Sequence, residues 1–221
     1  NFEVDRQAAE QVLKLMPFIS KFARLQRWAL QDIAMELGQK RGYDVIIDFA
    51  SGLPTNDHIH HKVPSTTTVI YSDYDPIVVE YTREILVDSP NAHFFQGDAR
   101  KPEELLSRPE VEKIINGRRK VDFVYWGVTS LIDDESIIHM ARYLYDCAAP
   151  GSCLAFNAQG ADVNREDPAV AQAIKIYDQM GQKTYNRSLD RFKEMIQPWQ
   201  LDEQGFIPLL KWHGLDRSEL G

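Results

Sequence analysis

From Asp5 to Leu37 apolar residues recur at spacings of three and four: Val12, Leu13, Met16, then Phe22, Leu25, Leu30, Ile33 and Leu37. That is the period of a helix with one buried face, and Pro17 divides the run into two helices. Past Gly38 and Gly42 the pattern changes to "YDVIIDFA", a continuously apolar stretch of the kind found in the middle of a parallel sheet. The alternation then repeats. "STTTVIYSD", "AHFFQGD", "KVDFVYWG" and "GSCLAFNAQ" read as four further strands. Between them lie helical segments opened by Asp75 with Pro76, by Pro102, by Pro109 and by the acids of "DDES". Two more helices are predicted, from about 168 to 181 and from about 188 to 196. In "PWQLDEQGFIPLLKWHG" two short apolar runs flank an acid-Gly cluster, which predicts a terminal antiparallel hairpin.

Strands alternating with helices at this spacing imply right-handed crossovers and a mostly parallel sheet covered on both faces. With the hairpin, about seven strands are expected in one α/β domain. It divides into residues 1–42 as a helical lid, 43–160 as the core and 161–221 as helices and hairpin. At 221 residues and 43% hydrophobic, the chain is long enough for that domain to bury a core. Its 25 basic and 33 acidic residues give a net charge of −8, which disfavours nucleic acid and favours a small-molecule partner. Cys147 and Cys153 have no metal-type spacing and suit a reducing, cytoplasmic compartment. No apolar run approaches the roughly 18 residues of a membrane span. A homodimer is compatible with all of this.

In open parallel sheets the ligand lies at the carboxyl ends of the strands, beside the reversal of strand order. The residues at those ends are Asp48, Ala50, Ser51, Gly52, Pro54 and Thr55; then Asp73 and Tyr74; then Asp98 and Ala99; then Tyr125, Trp126 and Gly127. Asp73, at the end of the second strand and 21 residues after Gly52, is placed to accept from both hydroxyls of a ribose, leaving Asp75 as the helix cap. Asp98 would accept from an adenine amine, with the next N–H, that of Ala99, facing a ring nitrogen. Asp48 ends an apolar strand and needs a donor: a ligand amino group, directly or through water, or the N–H groups of its own loop. Tyr125 and Trp126 stand at the mouth of the fourth strand, where an aromatic face would attract a cationic ligand. Adjacent strand residues face opposite sides, so one of the two packs in the core, and Trp126 is the better wall. His58, His60 and His61 are close in sequence, but a metal needs further convergent ligands, so no metal is assigned.

"IIDFASGLPT", "VIYSDYDPIV", "FFQGDARKP" and the late "GFIPLLKW" together resemble the S-adenosylmethionine-dependent methyltransferase superfamily of Rossmann-like fold (class I). The likeness is greatest to its bacterial subgroup whose first motif reads D-x-G-x-G-L-P-T, and it runs from about Asp5 to Trp212. The resemblance implies S-adenosylmethionine as cofactor, Gly52 at its methionine part, Asp73 at the ribose, Asp98 at the adenine and Asp48 near the amino group. Ala50 departs from the subgroup's glycine, which calls for an αR or β backbone there or slightly less room. His60 has a structural or pocket-lining role in this reading.

A sulfonium already carries its leaving group, so the protein need only align a nucleophile and exclude water. Direct in-line methyl transfer to a small molecule is therefore the expected reaction. Tyr125, His139, Asn157, Tyr177 and Tyr185 are unranked candidates for a base, with Tyr125, Trp126 and Asn157 nearest the reacting carbon. Attack at another sulfonium carbon, such as internal cyclisation releasing methylthioadenosine with the cofactor as sole substrate, is an alternative, as is a non-catalytic adenosyl-binding module. A nicotinamide dehydrogenase is disfavoured by Pro54 at the third glycine position and by the predicted hairpin.

Overall fold

A computed structural model describes residues 2–54, 58–118 and 120–220. Two helices open the chain, α1 (Phe2–Leu15) and α2 (Ile19–Met35), with Pro17 in the turn between them and a π-helical turn, Glu36–Lys40, ending the second. Five strands follow: β1 (Val45–Phe49), β2 (Thr68–Asp73), β3 (Ala92–Gln96), β4 (Asp122–Tyr125) and β5 (Cys153–Phe156). They are joined by α3 (Pro76–Ile85), by α4 (Pro102–Leu106) with α5 (Pro109–Ile115), and by α6 (Asp134–Cys147). After β5 come α7 (Pro168–Gln179), α8 (Leu189–Met195) and the short α9 (Leu209–Trp212).

The sheet is parallel throughout, in the order β3-β2-β1-β4-β5, so strand order reverses between β1 and β4. Phe49 pairs with both Ser72 and Tyr125, and Tyr125 with Phe156, which brings the carboxyl ends of four strands to one level. Side chains alternate across the sheet. Ile47, Phe49, Ile70, Phe123 and Tyr125 face a core completed by α4, α5, α6 and α8. Ile46, Val69, Tyr71 and Val124 face the other way, against Leu30, Ala34 and Leu37 of α2 and the following turn. Full burial of β1 on both faces is why its sequence is uninterruptedly apolar up to Asp48.

Arg187, just before α8, fixes the far side of the carboxyl edge. Its buried guanidinium donates to Asp134 Oδ1 at 2.6 Å, to Thr129 O at 2.9 Å and to Ile132 O. The loop from β4 to α6 is thereby tied to the segment before α8.

Two expectations are corrected. The sheet has five strands among the described residues rather than about seven, and residues 199–214 form no hairpin. Pro208 has no N–H for a ladder and instead leads into α9. Trp199 packs edge-on against Phe123 and donates its indole N–H to Ala141 O at 2.8 Å, while Trp212 donates to Asp32 of α2 at 2.9 Å. The apolar residues of this tail are anchors for helices, not strand positions. No described helix is long and apolar enough to cross a membrane.

Asp122, the first residue of β4, lies wholly inside the protein. Its Oδ1 accepts from the Cys153 thiol at 2.7 Å, and its Oδ2 has no partner among the described residues. Burial pushes this carboxyl up to about 8, against the opposing effects of the Cys153 bond and the Arg41 charge. The unfolded chain ionises here near pH 4 (about 3.9). Between that pH and about 8 the folded state holds the extra proton, so this residue's stabilising contribution is complete below pH 4 and is lost as pH rises through 8. Asp122→Asn should therefore gain stability relative to the unmodified protein as pH is raised from about 5 to about 8, measured by urea denaturation. A difference that stays constant across that range would refute the assignment.

Candidate functional site

The carboxyl edge is organised by Asp73, which is 8% exposed. Its Oδ2 accepts from Gly52 N and its Oδ1 from Asp75 N, both at 3.0 Å, while its carbonyl accepts from Gly97 N at 2.9 Å. Asp75 caps α3 by accepting from Ile77 N at 2.9 Å, with Pro76 in the first turn, the cap role that the sequence suggests for it. Each Asp73 oxygen keeps a second lone pair, and Gly52, at φ 65°, has open space where a side chain would begin. A polar ligand can reach both. Tyr74, next in the chain, is 63% exposed over the same edge.

Ala50 does not take an αR or β backbone. Its φ is 54°, the left-handed conformation in which a glycine would sit without strain. Ser51 follows, with its N–H donating to Ser72 O at 2.9 Å and its hydroxyl to Gly52 O at 3.1 Å. Because the Ser51 and Gly52 N–H groups are both engaged elsewhere, neither satisfies Asp48. Asp48 is 1% exposed and its Oδ2 has no partner among the described residues. Burial raises its carboxyl well above the usual range and the charges of Asp122 and Asp73 add to the rise, while Arg27 of α2 opposes it. Thr55 lies outside the described residues.

Beneath this loop His60 is tied to the second strand. The Tyr71 hydroxyl accepts from the His60 backbone N–H and donates to His60 Nδ1, each at 2.9 Å. Burial, with the charge of His61, holds the His60 imidazole down to about 4, so it is neutral and serves as an acceptor. His58 Nε2 lies 3.3 Å from Ser51 O. Among the described residues no cluster of three or more His, Cys, Asp or Glu is arranged to hold a metal.

Asp98 sits at the end of β3 as expected, but Arg100 grips its carboxylate through Nε at 2.9 Å and Nη2 at 2.6 Å. Burial raises the Asp98 carboxyl, and the Arg100 side-chain and backbone bonds outweigh it and hold it below the usual value. The Ala99 N–H makes no hydrogen bond among the described residues, and its carbonyl accepts from the Tyr125 hydroxyl at 2.9 Å.

That last bond removes Tyr125 from the chemistry. Its ring is fully buried on the α6 side of the sheet, stacked on Phe49 at 4.8 Å. Trp126 points the other way, into a cleft of about 1720 Å³, and its indole N–H donates to Gln26 O of α2 at 3.0 Å. Gly127, at φ 74°, turns the chain beside it. Asn157 reaches the same cleft from the end of β5; its N–H donates to Tyr125 O at 3.0 Å, and its Oδ1 is buried with no partner among the described residues. Tyr177 also lines this cleft. Tyr185 instead lines a smaller one beside Arg187, and His139 pairs with Glu103 at 3.0 Å on the exposed side of α6.

Gln26 and Arg27 of α2 also belong to this edge, through the Trp126 bond and the charge facing Asp48. Arg27 precedes buried Leu30 and Ala34 by three and seven residues, so it lies on the face of α2 that packs against the sheet. A charge on the apolar face of a helix was the available signal. Gln26 acts through its backbone carbonyl, which leaves no such trace.

A family model described as S-adenosyl methyltransferase matches residues 1–219. Among solved structures, a Thermobifida fusca YX protein described as a candidate methyltransferase is 26% identical with a TM-score of 0.83, over 95% of this chain and 79% of its own. A DUF574 family protein from Streptomyces avermitilis MA-4680 is 22% identical with a TM-score of 0.82, over 97% of this chain and 83% of its own. Human N-acetylserotonin methyltransferase in complex with SAM is 15% identical with a TM-score of 0.50, over 91% of this chain and 55% of its own. These last two show likeness of fold. No curated protein matches the chain.

Left-handed backbone costs an L-residue roughly 1 kcal/mol or more. Ala50→Gly should therefore leave stability unchanged or raise it by up to about 1 kcal/mol, where the same exchange inside a strand or helix costs about that much. Ala50→Val should lose about 1–3 kcal/mol, because a β-branched residue is a strong outlier at this φ. Urea denaturation of both variants checks this; a clear loss in Ala50→Gly would contradict the strained geometry.

Proposed function

Because the chain belongs to the S-adenosyl methyltransferase family, we propose that it transfers the methyl group of S-adenosylmethionine to a small-molecule acceptor by direct in-line displacement. The observation that carries this reading is the Asp73 carboxylate, held between Gly52 and Asp75 at the strand-order reversal with lone pairs to spare. S-adenosylmethionine is the cofactor, and it supplies an activated methyl on a sulfonium that leaves as a neutral thioether.

The residues present suit that group. Asp73 takes the ribose hydroxyls, and Gly52 allows the backbone to approach the methionine part, with Ser51 and Tyr74 flanking it. Asp48 supports this reading through its orphaned, deeply buried oxygen, which an amino group satisfies directly or through water. Ala99 offers its N–H to a ring nitrogen, and Asp98 takes the adenine amine once Arg100 yields part of its hold. Trp126 and Gly127 border the sulfonium, and Asn157 faces the acceptor. In-line geometry requires the nucleophile to approach from the cleft side, opposite the sulfur.

The two N-terminal helices divide their work. α2 is a fixed wall, with Leu25, Ala29, Leu30 and Ala34 buried and its carbonyls receiving Trp126 and His213. α1, which carries buried Val12 and packs against α7, is the part of this lid that closes over the cleft and excludes water.

Asp73→Ala, shown to be folded by circular dichroism, should bind S-adenosylmethionine at least about tenfold more weakly by calorimetry, since a lost hydrogen bond to a charged group is worth about 1.5–3 kcal/mol. Undiminished affinity would overturn the ribose assignment. Incubation with cofactor and acceptor, read by mass spectrometry, should yield S-adenosylhomocysteine; methylthioadenosine formed without acceptor would overturn methyl transfer.

A further inference from the structure

The cleft beyond Trp126 carries information about what enters it. We propose, building on the methyl-transfer reading above, that the acceptor is an amine borne on an aromatic or similarly apolar body, and that Asn157 positions its nitrogen. Three independent features of the cleft converge on this class.

Its walls near the strand ends are apolar and aromatic, with Phe18 and Phe22 from the α1–α2 corner, Trp126, Phe156 and Tyr177. Its charged lining is unbalanced. Lys40 and Arg41 are the basic residues, and both are committed to Glu36, at 2.9 and 3.2 Å. Asp162 and Asp167, on the segment between β5 and α7, line the cleft with no ion pair among the described residues: Asp162 accepts from Leu189 N at 3.3 Å, and Asp167 caps α7. Asp162 is held at φ 55°, a left-handed position that an aspartate tolerates. The third feature is Asn157 Oδ1, a buried acceptor with no partner among the described residues, next to Trp126.

An anionic acceptor would meet uncompensated carboxylates, and an acceptor without an N–H or O–H would leave Asn157 Oδ1 unsatisfied. An ammonium form is drawn in by Asp162, Asp167 and the aromatic faces. It loses a proton to water at the mouth before reacting. The free amine then donates one N–H to Asn157 Oδ1, which leaves its lone pair aimed at the methyl carbon. That lone pair forms the N–C bond as the C–S pair leaves with sulfur. The products are the methylammonium and S-adenosylhomocysteine, and the positive charge passes from sulfur to nitrogen.

The test uses the full chain with matched probes: phenethylamine, 2-phenylethanol and phenylacetate. Calorimetry in the presence of S-adenosylhomocysteine should show the amine binding at least about tenfold more tightly than the carboxylate, the equivalent of one lost charge-assisted contact. With S-adenosylmethionine, mass spectrometry should show N-methylation of the amine. Asn157→Ala should lower kcat about tenfold or more with cofactor affinity unchanged, and Asp162→Asn should raise KM for the amine a few-fold with little change in kcat. If Asn157→Ala proves unfolded, Asn157→Ser serves for the same comparison. Cofactor binding with methylation of the alcohol or carboxylate alone, or of none of the three, overturns the amine assignment and leaves the cofactor reading standing. Failure to bind S-adenosylmethionine at all sinks both.

Discussion

One carboxylate holds the working edge of this protein together. Asp73 accepts the Gly52 N–H from the loop after β1 and the Asp75 N–H from the start of α3, and its carbonyl takes Gly97 N from the loop after β3. Three loops that would otherwise place themselves independently are thus referred to one residue at the end of β2. A buried carboxylate left without donors would be costly, so the same bonds that position the loops also justify the acid's place at the end of an apolar strand.

The alternation of strand side chains then sorts structural from chemical work. On the α6 side, Phe49 and Tyr125 stack, the Tyr125 hydroxyl is bonded to Ala99 O, and Arg187 locks the loop after β4. On the α2 side lie Asp48 with its orphaned oxygen, Trp126 and the long cleft. Tyr125 and Trp126 are neighbours in sequence and face opposite sides of the sheet. One residue of register decides between them.

Much of this could be read from the chain. Both N-terminal helices, all five strands, the cap at Asp75 and the helix starts at Pro102 and Pro109 follow from periodicity and turn chemistry, because local propensity and burial agree there. The cap at Asp75 was legible because an acid directly before Pro76 sits at the offset a helix cap requires. The terminal segment was misread because Leu209, Leu210 and Trp212 are apolar for the sake of contacts made by distant helices, and a short apolar run does not reveal its partner. Ala50 was misread for a different reason: residue type argues against a left-handed backbone, and tertiary bonds at Ser51 and Gly52 override it. The Arg100 grip on Asp98 is a rotamer choice between residues two apart, to which pattern is blind.

The left-handed turn at Ala50 has a consequence for how damage to this protein would show itself. Its strain is borne by the folded chain before any ligand arrives, because Asp73 and Ser72 hold the neighbouring N–H groups in place. A ligand at Ser51 and Gly52 would meet backbone that is already ordered, so its affinity would depend little on the margin of stability elsewhere. A weakened core would reduce the number of folded molecules while leaving each survivor's grip on its ligand intact. For this fold, injury is read in abundance before it is read in affinity.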